Sequence, residues 1–244
     1  MPETARQIAD ELRARIDSGA LAPGDRLPGE PTLVREYGVA KETANKALKL
    51  LVSEGLAVRR HGSGTYVRSF RPIRRVAPER TSRAQWQAGA PVWSAETEGR
   101  EFDVTVEVYE EPASQLVARA LSLDENTAVL VRDRRYVVDG EPVQLATSYL
   151  PAALVTGSPI ANEDPGPGGT YARLAELGHA PAHFTEELRS RLPDQREAEL
   201  LALPTGIPLL EICRTALTAE HRPVEFTRML LDAGSYVLEY RFDA

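Results

Sequence analysis

Cysteine is nearly absent from the 244 residues: Cys213 stands alone, so no internal disulfide can form and a reducing cytoplasm is the natural setting. No stretch reaches the roughly 18 uninterrupted apolar residues of a membrane span, and the N-terminus has no signal-peptide apolar region, so no membrane partner is expected. Histidine is sparse, with four copies. His179 and His183 are spaced i, i+4, but Pro181 between them disfavours the helix a metal pair needs. No nucleotide-cradling glycine loop and no Gly-x-Ser-x-Gly elbow occurs in the sequence. Cys213 sits in an apolar strand-like run and reads as a core thiol rather than a nucleophile. The sequence therefore assigns no catalytic residue, no metal and no cofactor. Lysine is the scarcest charge: Lys41, Lys46 and Lys49 are the only three, and they fall within nine residues.

What is present suffices for ordinary cores, with 42% hydrophobic and 27% charged residues. The length suits two domains of about 100–150 residues each. The net charge of −7 conceals a division. Residues 1–83 carry a balance of +6 and residues 84–244 a balance of −13. A basic N-terminal third joined to an acidic remainder suggests a nucleic-acid module with a second function attached.

Thr4 followed by Gln7 resembles a capping box, and Ile8, Leu12 and Ile16 recur on one face of a first helix closed near Gly19. The Pro-Gly pairs in residues 21–29 mark a tight connection. A short second helix accepts Pro31 in its first turn and offers Leu33, Val34 and Tyr37 to a core before Gly38. A third helix spans about Lys41 to Glu54, burying Ala44, Ala47, Leu48 and Leu51. Strands near Leu56–Arg59 and Thr65–Val67 flank a turn at residues 60–64. Helix, helix, short link, helix, hairpin is the order of a winged helix-turn-helix.

Residues 69–100 read as a linker that becomes ordered where it docks, with Trp86 and Trp93 in a polar context. From Asp103 the pattern turns strand-like: Val104, Val106 and Val108, then Val129–Val131, Tyr136–Val138 and Val143–Leu150. A Gly/Pro-rich loop precedes a helix at about Tyr171–Leu177. Phe184–Leu192 is extended, Gln195–Leu203 helical, and strands follow at Leu209–Leu217, Glu225–Leu231 and Tyr236–Phe242. The fold class is α+β, with a largely antiparallel sheet in the second domain. The expected domains are 1–68, a linker at 69–100, and 101–244.

A helix-turn-helix puts the N-terminal side chains of its second helix against base edges and phosphates in the major groove. Val39, Ala44 and Ala47 can face inward, leaving Lys41, Thr43, Asn45 and Lys46 outward. Asparagine pairs bidentately with adenine, lysine reaches guanine or phosphate, and threonine suits phosphate or a thymine methyl. At the wing, His61 and Gly62 can enter the minor groove. The competing account, a solvated helix with ordinary surface lysines, leaves the confinement of all three lysines to this helix unexplained.

The run Gly24-Asp25-Arg26-Leu27-Pro28, then Tyr37-Gly38-Val39, Ala47-Leu48, Leu51, Glu54-Gly55 and Gly62-Ser63-Gly64-Thr65-Tyr66-Val67, resembles the winged helix of GntR-type bacterial regulators over residues 4–68. The chain departs from that pattern where Ala40-Lys41 replaces Ser-Arg, Asn45 replaces Arg, and Pro31 replaces a DNA-touching Arg. Each lost bidentate guanine contact shifts base preference by about 1–3 kcal/mol. Residues from about 103 to 243 resemble the UTRA effector domain of the HutC-like branch, of chorismate-lyase-like fold. The matching runs are Arg132–Tyr136, Asp139–Val143, Ser148–Pro151, Leu174–Gly178, Glu197-Ala198 with Leu201, and Arg222–Glu225. This resemblance implies an effector pocket lined by Arg134, Tyr136, Ser148, Tyr171, Glu225 and Tyr236, with Arg132 close by. Arginine offers a fork for carboxylate or phosphate, and glutamate accepts from hydroxyl or amine. Ala146 and Gly169 stand where the family often has an acidic residue and a phosphate-binding serine, which argues against a phosphosugar.

The resemblance implies a ligand-responsive regulator, a repressor bound as a homodimer to a palindromic double-stranded operator and released by a small molecule. Two rivals are carried forward. One is an architectural or plasmid-copy regulator whose second domain only dimerises. The other is a chorismate-lyase-like enzyme using Arg134 and Glu225, for which the sequence shows no base–nucleophile pair.

Overall fold

The computed structural model describes residues 4–60, 62–68, 72–76, 82–87, 99–203 and 206–241. The chain divides into two compact units, Met1–Arg71 with Leu203–Ile207, and Pro72–Ala202 with Pro208–Ala244.

The first unit begins with α1 (Ala5–Asp17), opened by a reciprocal cap: Thr4 Oγ1 accepts from the Gln7 amide, and the Thr4 amide donates 2.8 Å to Gln7 Oε1. Helix α2 (Glu30–Tyr37) carries Pro31 in its first turn and ends at Gly38, whose φ of +63° is the left-handed cap. Helix α3 (Lys41–Ser53) follows, then the antiparallel pair β1 (Ala57–Arg60) and β2 (Gly64–Val67). Ile8, Leu12, Leu33, Ala44, Ala47 and Leu51 are fully buried together, so all three helices close on one core. The Gly24–Pro28 run has a structural task. Leu27 donates its amide to the Thr65 carbonyl at 2.8 Å, and Val67 donates to the Asp25 carbonyl at 2.7 Å. This loop therefore lies along β2 as a third extended segment and fixes the hairpin.

In the second unit, β4 (Phe102–Pro112), β5 (Ala128–Val138), β6 (Glu141–Pro151), β7 (His183–Arg191), β8 (Leu209–Leu217) and β9 (Pro223–Asp232) form an antiparallel sheet of order β4-β5-β6-β9-β8-β7. The segment expected as a linker contributes β3 (Ile73–Val76) and the short helix α4 (Arg83–Gln87), in which Trp86 is buried. Strand β3 pairs in parallel with β10 (Tyr236–Glu239), apart from the main sheet. The expected strand 236–242 thus ends at Glu239, while Phe242 and Trp93 lie outside the described residues. Helix α5 (Gln115–Leu121) was not anticipated. Ser114 caps it, and Val117, Ala118 and Leu121 press onto Val129, Val131 and Phe226. Helices α6 (Ala152–Val155), α7 (Gly169–Glu176) and α8 (Gln195–Leu200) complete the unit. Helix α8 stops before the expected Leu203 because the chain turns at Ala202, whose φ is +49°.

The sheet has two unlike faces, because alternate residues of each strand project to opposite sides. One face receives α4, α6 and α7 at one end, through Trp86, Val155, Ile160, Tyr171 and Leu174. At its other end it receives Ile73 and Tyr236. The opposite face receives α5 and carries an ion-pair network. There Glu211 accepts from Arg191 Nε at 3.1 Å and from Arg228 Nε at 2.6 Å, while Glu197 takes Arg191 Nη1 and Nη2 at 2.7 Å each.

Burial pushes the Glu211 carboxyl up, but the hydrogen bonds from Arg191 and Arg228 outweigh it and hold the group at about 2. A folded-state value below the unfolded carboxylate range gives stability that is complete above the unfolded value and lost as pH falls toward 2. Glu211→Gln is therefore expected to lower the melting temperature at neutral pH. Its deficit relative to wild type should shrink between pH 4.5 and 2, and a constant deficit across that window would contradict the assignment. Gly64 gives a second prediction. Its φ is +126°, and an added Cβ would stand 2.9 Å from Arg26 Nε. Gly64→Ala should cost about 1–3 kcal/mol in chemical denaturation of the isolated unit or the whole chain, whereas Gly29→Ala, at an ordinary φ of −70°, should cost far less.

Candidate nucleic-acid interface and effector site

Helix α3 separates its side chains by chemistry. Ala44, Ala47, Leu48 and Leu51 are buried, while Lys41, Lys46 and Lys49 are exposed. The periodicity that buries the alanines and leucines is what leaves the lysines outside. Lys41 opens the helix with its side chain 81% exposed, and its Nζ stands 3.9 Å from Glu30. Ala40 supplies no side-chain cap, so the first-turn amides of α3 remain available to an acceptor such as a phosphate oxygen. Thr43 and Asn45 are half-buried, and Asn45 Oδ1 accepts 2.9 Å from Arg59 Nη2 on β1. At the hairpin tip Gly62 is exposed with φ +70°, and the Ser63 and Tyr66 hydroxyls lie 2.6 Å apart. His61 falls outside the described residues. The arrangement presents a cationic helix start and a small-residue wing tip on one unit, which suits a polyanion whose groove edges must be approached closely.

In the second unit the strand registers align one row across five strands: Arg132 with Ser148, Ser148 with Thr227, Thr227 with Arg214, and Arg214 with Glu186. Every member is polar, and Arg132, Ser148, Arg214 and Thr227 are buried. Apolar clusters lie on both sides of the row, one around Tyr171 and Leu150, the other around Tyr136 and Met229. Ser148 Oγ and Thr227 Oγ1 are 2.7 Å apart, and Arg134 donates to Ser148 Oγ through Nη2. Tyr171 donates 2.8 Å to Glu225 Oε2. The Arg214 guanidinium lies 5.6 Å from the Tyr171 ring centre and 6.0 Å from that of Phe184. Its Nε and Nη1 are buried without an acceptor, and so is Arg134 Nε. Burial works against the Arg214 charge, but Tyr171, Glu225 and Glu186 more than compensate, so its affinity for the proton rises.

The residues expected to line a pocket thus divide. Arg134, Ser148, Tyr171 and Glu225 come together at the row. Arg132 sits in the row, but with its Nη1 and Nη2 committed to the main chain and its Nε buried without an acceptor. It donates to the carbonyls of Ile160 and Asn162, and at 2.8 Å to that of Glu163. Burial first, then the charge of Arg134, brings it down to about 10. Tyr136 and Tyr236 share the neighbouring apolar cluster with Ile73 and Leu231, where Tyr236 donates 3.3 Å to Gln144 Oε1. Arg214, Thr227 and the fully buried Arg75, which is bound to Glu186, were missed from sequence. The available signal was a charged residue on the inward alternation of an otherwise apolar strand, at Arg214 in Leu209–Leu217. A cavity of about 600 Å³ lies over the opposite face of the sheet, bordered by Thr105, Tyr109, Asp133, Arg135, Thr147 and Leu200. His183 stacks on His221 with ring centres 4.4 Å apart.

Residues 4–67 match the model of the gntR family of bacterial regulatory proteins, and residues 98–236 match the UTRA domain. The chain is 35% identical over 230 residues to an uncharacterized HTH-type transcriptional regulator of Streptomyces coelicolor, covering 91% of this chain and 86% of that protein. It is 29% identical to a histidine utilization repressor of Pseudomonas putida, over 97% and 90% of the two chains. The crystal structure of PhnF from Mycobacterium smegmatis is similar with a TM-score of 0.60 and 25% identity, covering 97% of this chain and 99% of that one. With a cationic winged helix and a UTRA sheet in one polypeptide, the chain belongs to the GntR family, HutC type, as a ligand-responsive, DNA-binding transcription regulator.

Proposed function

We propose that this regulator is a repressor that binds a palindromic operator as a homodimer in the cytoplasm and leaves it when a small molecule enters the second domain. The observation that carries the DNA half is the segregation of every lysine in the chain onto the exposed side of α3. Lys41 and Lys46 contact phosphate or guanine, Thr43 and Asn45 meet base edges, and Gly62, with His61 beside it, approaches the minor groove. The working division is 1–68 for operator binding, 69–100 as connection, and 101–244 for effector binding and dimerisation. Arg134, Ser148, Tyr171 and Glu225 form the effector contacts, Arg132 holds the wall of residues 160–163, and Tyr136 and Tyr236 close the apolar side. The buried row supports this reading over a domain that merely dimerises, since five guanidinium N–H groups at or beside it, on Arg75, Arg132, Arg134 and Arg214, are buried without acceptors. An effector acts only through a difference in affinity between the two arrangements of the dimer.

Operator binding is expected to fall steeply with salt, and Lys41→Ala or Lys46→Ala should each reduce the slope of log K against log salt by about one. Footprinting on the chain's own promoter region should show two half-sites, and sedimentation should give a dimer. Salt-insensitive binding would contradict the DNA half. A metabolite present at 100 times its dissociation constant should add about 2.7 kcal/mol to stability in a thermal-shift screen. Such a metabolite should also weaken operator binding, and Glu225→Gln should blunt both effects; a hit that leaves operator affinity untouched would contradict the effector half.

A further inference from the structure

We propose that Arg59 determines base specificity by fixing the amide of Asn45, so that the pair reads guanine rather than adenine. The inference rests on α3 entering the major groove. Strand β1 carries Arg59 on the same side as buried Ala57, facing α3, and pairs it with buried Thr65. The side chain is therefore directed across the hairpin to the recognition helix instead of outward. Its Nη2 donates to Asn45 Oδ1 at 2.9 Å, and Glu30 Oε1 stands 3.7 Å from the same nitrogen. Glu30 also lies 3.9 Å from Lys41 through its other oxygen, so one carboxylate holds two cations beside the start of the helix. Glu30, Arg59, Gly62 and Gly64 border a groove of about 560 Å³.

The chemistry follows from donor and acceptor inventories. A free asparagine amide flips between two orientations and can offer adenine both an acceptor for N6–H and a donor for N7. A guanidinium has only donors, so Asn45 turns its oxygen toward Arg59, which occupies one of the two lone pairs of that oxygen. The bond is charge-assisted, which makes the flip unfavourable. The pair then offers the Asn45 NH₂ and the remaining Arg59 N–H groups against one lone pair left on Oδ1, an excess of donors. Guanine presents two acceptors, N7 and O6, in the major groove and matches this excess of donors, whereas adenine presents N6–H₂ beside N7 and leaves an Arg59 N–H facing a donor. Arg59 is thus a positioning residue for Asn45 as well as a donor at its side.

The test uses full-length protein against a panel of half-sites with each base varied in turn. Wild type should favour guanine at one position. Arg59→Met should lower the guanine-to-adenine ratio there by about tenfold, the effect of one good bidentate pair, with other positions unchanged. Asn45→Ala should lose discrimination at the same position, and the double variant should lose no more than either alone. Arg59→Lys, which still donates to the Asn45 oxygen, should retain the preference for guanine. The Arg59 side chain is 44% exposed, so the melting temperature should hold; if Arg59→Met is unfolded, Arg59→Leu against Arg59→Lys makes the same comparison. A uniform affinity loss across all bases, or an unchanged base profile, overturns the proposal and leaves Arg59 a phosphate contact. Wild type without any sequence preference overturns the groove reading beneath it, a distinguishable result.

Discussion

The second unit is organised by the cost of burying one polar row across an apolar sheet face. Arg132, Ser148, Thr227, Arg214 and Glu186 stand side by side because the registers of five strands bring them there. A buried guanidinium without partners is unfavourable, so the rest of the architecture is arranged around satisfying these groups. The segment 160–163 supplies carbonyls to Arg132, Glu186 takes Arg75 from β3, and Ser148 engages Arg134. Unpaired guanidinium N–H groups remain around the row, at Arg75 Nε, Arg132 Nε, Arg134 Nε and at Arg214 Nε and Nη1. In the proposed effector reading, a ligand that carries an acceptor meets that demand and favours the arrangement of the chain that presents it.

The first unit obeys a simpler constraint. Alanine and leucine on one side of α3 close a small core, and the cations are what is left to face outward. The wing depends on the Gly24–Pro28 loop, which lies along β2 and gives the hairpin a third extended neighbour. Specificity is then a matter of which side chains share the exposed face. Asn45 alone offers the donor and acceptor that adenine needs; beside Arg59 one lone pair of its oxygen is engaged and donors predominate.

Much of this was legible in the sequence. The three helices, the hairpin, the capping box at Thr4 and most large-sheet strands follow from caps, glycines and periodicity, all of them local signals. Register is not local, and for that reason the row could not be assembled from sequence: Arg214 interrupts the apolar alternation Leu210, Ile212, Ala216, but nothing places it beside Thr227 until the strands are paired. Arg132 was expected near a ligand, but its Nη1 and Nη2 are spent on three carbonyls that only the folded chain brings to it. Helix α5 was overlooked although Ser114 followed by Val117, Ala118 and Leu121 carries both cap and period. Strand β3 is too short and too basic to be read as a strand, and it forms because Ile73 and Arg75 find burial against β10 and Glu186.

Effector and operator, in this reading, compete through one equilibrium. Linkage requires the coupling to be reciprocal. Calorimetry on free protein and on the operator complex gives the dissociation constant of the same stabilising metabolite in each state. Binding to the complex is expected to be weaker, by the same factor as the metabolite weakens operator binding. Equal affinity of the metabolite for free and operator-bound protein would contradict it.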